Sequence, residues 1–167
     1  MKATGPPSKG SGSARANGIG SRSIGWAMTE TTYLSSGDLS LLAEREVGAG
    51  VGADEAALEA VAAYPGSAER GHDRFPGVQV KAAALMTELL QRRPFERGNA
   101  RVALLSAIVF LNLNGLDVEA SESDLAELAD LAAQGTLSLV MVAAAFESIS
   151  VRMIAPGEEP LDPGDPA

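Results

Sequence analysis

The chain has 167 residues, a formal charge of −9, 46% apolar residues and only 4% aromatic ones. Its lack of cysteine excludes disulfides, thiolate zinc sites, iron–sulfur clusters and a cysteine nucleophile, and its single histidine, His72, excludes any site that needs two. The acidic balance excludes a general nucleic-acid binder, which needs a basic face, and no apolar run reaches the roughly 18 residues of a membrane span.

Residues 1–28 are rich in Gly, Ser and Pro and carry only basic charges, Lys2, Lys9, Arg15 and Arg22. Such a stretch has too little apolar surface to offset its ordering entropy, so disorder is expected there. It lacks the apolar core of a secretory signal, which makes the cytoplasm the expected location. Residues 156–167 hold four of the nine prolines and four acids and are expected to be disordered as well. A helical domain over 31–152 is expected between them. The 29 alanines of the whole chain favour closely packed helices over a β-sandwich.

The first predicted helix runs from about Asp38 to Glu46, after the cap candidates Ser35 and Ser36, and stops at Gly48-Ala49-Gly50. Asp54 opens the second, which closes at Tyr64-Pro65-Gly66. Residues Glu69 to Phe75 fit an irregular loop or a short hairpin. The third helix follows Pro76-Gly77, with Ala82, Leu85, Met86 and Leu89 on an apolar face and Lys81, Glu88 and Arg92 opposite; Pro94 ends it. Next comes GNARVALLSAIVFLN, apolar nearly all round, which predicts a helix buried on most sides and stopped by Asn114-Gly115. Ser121 with Asp124 starts a fifth helix that ends at Gly135. A sixth spans Leu137 to Ser148. No convincing strand pair is visible.

From residue 29 onward there are nine basic residues against 22 acidic ones, and four of the nine, Arg92, Arg93, Arg97 and Arg101, fall within ten positions. The segment Arg93-Pro94-Phe95-Glu96-Arg97 leads straight into Gly98-Asn99 at a helix start. Free N–H groups and the positive end of the helix dipole meet the arginines there, a combination suited to phosphate. Gly98 would let a ligand approach the backbone closely. The same arginines would equally serve a solvated ion-pair network with Glu69, Glu88 and Glu96.

The segment RPFERGNARVALLSAIVFLNLNG resembles the signature of the Fic/Doc family, usually His-Pro-Phe-x-(Asp/Glu)-Gly-Asn-x-Arg, in its Doc-like (death-on-curing) branch. The resemblance extends over about 31–150. It implies an all-α bundle of about six helices around a central buried helix at about 98–113. It also implies transfer of AMP or phosphate from ATP or another nucleotide to a hydroxyl of a target protein such as a translation factor. A toxin held by an antitoxin in trans is the usual setting. By position, Gly98, Asn99, Arg101 and Arg97 would meet the nucleotide phosphates. Pro94 and Phe95 would anchor the loop, and Arg70 to Pro76 would form the flap on which a target segment docks.

Two positions depart from that pattern. The family's histidine, the base that takes the hydroxyl proton, is Arg93, and arginine has no acceptor atom. The acid that holds Mg²⁺ is Arg97, and a cation there repels the metal. Glu96 is the one acid left nearby, displaced by a residue. His72, the only imidazole in the chain, is the one replacement base on offer. The residues therefore point either to an impaired transferase or to a catalytically inactive nucleotide-binding pseudoenzyme that works by protein association. No Glu stands in the family's self-inhibitory pattern Ser/Thr-x-x-x-Glu-Gly/Asn.

Overall fold

Four of the six described helices start at a short polar side chain that accepts a free N–H of the first turn. The computed structural model describes residues 30–154; the two segments expected to be disordered, 1–28 and 156–167, lie outside the described residues. Helix α1, Ser36–Val47, begins at Ser35, whose Oγ accepts the Asp38 N–H while the Asp38 carboxylate accepts the Ser35 N–H. That reciprocal pair, led by the Ser35 backbone bond, holds the Asp38 carboxyl below its ordinary pKa. Asp54 caps α2, Glu55–Ala63, through the Ala57 N–H. A 3₁₀ turn over Tyr64–Gly66 follows, so the predicted stop is a tightened last turn.

The stretch after it forms a hairpin, β1 (Ala68–Glu69) and β2 (His72–Asp73), with Arg70 and Gly71 both at positive φ, the geometry a two-residue turn prefers. Helix α3, Val78–Arg92, and helix α4, Asn99–Leu113, come next, followed by β3, Leu116–Val118. Helix α5, Glu122–Ala133, is capped by Ser121, and α6, Leu139–Ile149, by Ser138. Strand β4, Ser150–Arg152, closes the described chain and pairs antiparallel with β3, Leu116 opposite Arg152 and Val118 opposite Ser150. That pair was not visible in the sequence, because its two strands are three residues long and stand on either side of two helices. The bundle is all-α apart from one short hairpin and the β3–β4 pair, and none of its described helices is long and apolar enough to cross a membrane.

Helix α4 is buried or half-buried from Val102 to Asn112, as its apolar run predicts. The centre of the bundle is nevertheless shared. Helix α3 packs against α2, α4, α5 and α6, and Ala82, Ala83 and Ala84 on three successive faces are all fully buried. Small side chains let several neighbours approach one helix at once. This enclosure overturns one expectation, for Lys81 and Glu88 do not lie on a solvated face; they are 4% and 7% exposed. Lys81 Nζ meets both Asp73 carboxylate oxygens, at 2.7 and 2.5 Å, and the Pro65 carbonyl at 3.3 Å. A buried ammonium on α3 thus ties down both the hairpin and the 3₁₀ turn.

The Lys81 hydrogen bond holds the Asp73 carboxyl below its ordinary pKa. A carboxylate with a lowered folded-state pKa adds stability above its unfolded value, about pH 4, and that stability fades as the pH falls toward the folded value. Asp73→Asn should therefore lower stability at pH 7, and the difference from the native chain should shrink below about pH 4. Urea unfolding at pH 7 and pH 3 checks this. An equal difference at both values would mean that the Asp73 charge does not hold the hairpin.

Candidate functional site

The loop between α3 and α4 is held from three directions. Arg93 closes α3 in the left-handed region, at φ 48 and ψ 58, and its N–H donates to the Leu89 carbonyl. Such a conformation costs a non-glycine residue about 1 kcal/mol and turns the chain sharply into Pro94. The α1–α2 loop then grips the segment from outside. The Asp54 N–H donates to the Pro94 carbonyl at 2.8 Å, and the Glu96 N–H donates to the Gly52 carbonyl at 3.0 Å. From inside, the Phe95 ring is buried in the core, 4% exposed. Asn99 closes the clamp: its Oδ1 accepts the Phe95 N–H at 3.1 Å and its Nδ2 donates to the Phe95 carbonyl at 2.8 Å.

Gly98 starts α4 at φ 76 with no side-chain cap, so the first N–H groups of the helix are not taken by a capping group. A Cβ at Gly98 would collide with the Val47 side chain of α1. The missing side chain therefore serves α1–α4 packing, and it is the Gly98 backbone that borders the site. Beside this helix end lies a cavity of about 280 Å³ with Arg93, Arg97, Gly98, Asn99 and Arg101 on its wall and Leu90 and Ala133 behind them. No carboxylate or imidazole lines it. Among the described residues, Arg93 and Arg97 make no ion pair, while Arg101 bonds the Glu46 carboxylate of α1 at 2.9 Å and is otherwise exposed.

The residues singled out in the sequence are thus brought together unevenly. Three of the four clustered arginines share the cavity; Arg92 is paired with Glu88 instead. Asn99 is on the wall, but its amide is spent on Phe95, which leaves its backbone N–H for a ligand. Glu96 lies across Gly52, on the side of the α1–α2 loop, and does not line the cavity. His72 is exposed on β2 opposite Glu69 and does not line it either. Of the ion-pair network weighed for the sequence, only Arg92–Glu88 forms; Glu69 and Glu96 pair with no arginine among the described residues. Glu46 was missed, and nothing local to α1 marks it as a partner of Arg101.

A model of the Fic/DOC family matches residues 27–111, which is 85 of the 167 residues and takes in α1 to α4 with the motif loop between them. The chain belongs to the Fic/DOC family. No curated protein matches it. The family match ends inside α4, so α5 and α6, which complete the Fic/DOC bundle here, lie beyond it.

The Fic/DOC resemblance implies Mg²⁺, and the residues present do not fit that ion. Arg97 and two further guanidinium groups line the cavity, Glu96 faces Gly52, and no cluster of three His, Cys, Asp or Glu side chains occurs among the described residues. Hard divalent cations need a shell of oxygen ligands, which this wall does not supply.

Proposed function

We propose that this Fic-type protein holds the phosphates of ATP or another nucleotide on Arg93, Arg97, Arg101 and the N-terminus of α4, with the arginines in place of a metal. Transfer of phosphate or AMP to a target-protein hydroxyl is impaired in it. The observation that carries this reading is the composition of the cavity wall, which holds three guanidinium groups at an uncapped helix start and no carboxylate or imidazole of its own. Arg101 spends one Nη on Glu46 and keeps its remaining donors for a phosphate.

The impairment follows from what the wall lacks. Attack by a protein hydroxyl releases a proton, and Arg93, at the family's histidine position, cannot accept it. Losing a general base costs about 10²–10⁴ in rate. Guanidinium groups do neutralise developing phosphate charge, which is most of what phosphoryl transfer asks of a protein, so the anion-binding half of the chemistry is kept. The setting we propose is the toxin side of a toxin–antitoxin pair, with the antitoxin a separate chain and a translation factor the class of target. The same wall favours a second reading, a nucleotide-binding pseudoenzyme that acts by protein association, because every feature on it serves binding and none serves proton transfer.

Arg101→Ala tests the reading. The side chain is mostly exposed, so the fold should persist while nucleotide affinity falls about ten- to a hundredfold, the worth of a charge-assisted hydrogen bond. Unchanged affinity in a folded variant would remove the arginine cluster from the account.

A further inference from the structure

The motif cavity shares two of its walls, Leu90 and Ala133, with a larger cavity of about 630 Å³ between α3 and the α5–α6 loop. One charged group lines it. Glu88 stands on its wall with a side chain only 9% exposed, and its carboxylate has a single partner among the described residues, the Arg92 Nε on Oε1. The other oxygen, Oε2, has no hydrogen bond and is not sealed from solvent, unlike the two buried hydroxyls that lack partners, Ser67 and Ser106. Gln91 and Gln134 on the wall are exposed and carry no side-chain hydrogen bond among the described residues, whereas two of its hydroxyls are engaged. The Thr87 hydroxyl donates to the Ala83 and Ala84 carbonyls, and the Ser138 hydroxyl caps the Met141 N–H. Tyr64, packed on Phe75 at 4.9 Å between ring centroids, adds an aromatic surface.

A carboxylate taken out of water needs hydrogen-bond donors. Arg92 supplies one to Oε1, and Oε2 is left for donors on a ligand. Glu88 and Arg93 are five residues apart along α3 and its end, roughly 7.5 Å of helix rise, so a nucleotide with phosphates on the arginines would carry its sugar past Leu90 and its base to Glu88. Among the bases, guanine alone presents two adjacent donors on one edge, N1–H and the N2 amino group, which a carboxylate accepts together. Adenine and cytosine place a ring acceptor beside their amino donor, and a carboxylate repels it.

We infer that the larger cavity takes the base of the nucleotide and that Glu88 selects guanine there, which rests on the phosphate-binding reading above. Glu88 is a specificity residue in this role. The test is calorimetric titration of the full chain with GTP, ITP, ATP and inorganic tripolyphosphate, repeated with Glu88→Gln. ITP differs from GTP by the N2 amino group alone. GTP should bind about tenfold or more tightly than ITP and ATP, the discrimination expected of a bidentate pair, and Glu88→Gln should erase that preference and leave tripolyphosphate affinity unchanged. The comparison of GTP with ITP on the native chain decides the matter even where the variant fails to fold. Tripolyphosphate binding with equal affinity for GTP and ITP, or for GTP and ATP, overturns the guanine assignment alone. No tripolyphosphate binding overturns the phosphate reading beneath it, and the assignment falls with it.

Discussion

Arg93→His combined with Arg97→Asp should raise nucleotide-dependent transfer to protein hydroxyls by about 10²–10⁴-fold, the usual worth of a positioned general base. The scaffold around both positions supports this. Arg93 sits in the left-handed region, where histidine is among the better tolerated non-glycine residues, so the new imidazole inherits a conformation it can hold. Arg97 is exposed one residue before the Gly98 cap, where an aspartate gains from the positive end of α4. The loop that would carry both groups is already gripped by Asp54, Gly52 and Asn99. The double variant also restores an oxygen ligand at the metal position, so its activity should depend on Mg²⁺ where nucleotide binding by the native chain does not. Labelled-nucleotide transfer with and without Mg²⁺ measures this, and growth arrest on expression gives the cellular reading. A folded, nucleotide-binding double variant with no gain in transfer would mean that something other than the base and the metal acid limits the chemistry.

Phe95→Ala should cost about 3–5 kcal/mol of folding stability, a large share of the roughly 5–15 kcal/mol a domain commands. The ring is buried at the point where the motif loop enters the core, and its own backbone is the partner of the Asn99 amide. Truncation therefore opens a cavity and frees the loop whose position sets the arginines. Nucleotide affinity should fall along with stability, although Phe95 does not line the site. Denaturant unfolding together with calorimetry measures both. A loss of less than about 1 kcal/mol, or full affinity in a folded variant, would show that the loop is held without its core anchor.

Most of the helices were legible because their ends are written locally. Ser35, Asp54 and Ser121 are short acceptors at the right offset from a free N–H, and Gly48, Pro94 and Gly135 are stops that act within a residue or two. The motif loop was legible as a pattern of residue types. What escaped depends on contacts between distant segments. Periodicity placed Lys81 and Glu88 on an outer face because it cannot register that α5, α6 and the hairpin cover α3 from the other sides. Asn99 was read only as a residue that meets the phosphates, since the sequence does not say that the Phe95 backbone lies within reach of its side-chain amide. Asn114 was read as a helix stop, yet its side chain also bonds the Thr32 N–H and carbonyl and so fastens the start of the domain to the end of α4. Glu46 and Arg101 meet only because Val47 fits the space left at Gly98 and brings α1 against α4.

The most direct test of the account is a calorimetric titration of the full chain with ATP, GTP and CTP, each with excess Mg²⁺ and with chelator. Arginines that stand in for the metal predict binding of equal strength in both conditions, with affinity lost when Arg101 is replaced by alanine. Binding that appears only with Mg²⁺ would contradict that claim, and no binding in either condition would remove the nucleotide from the account altogether.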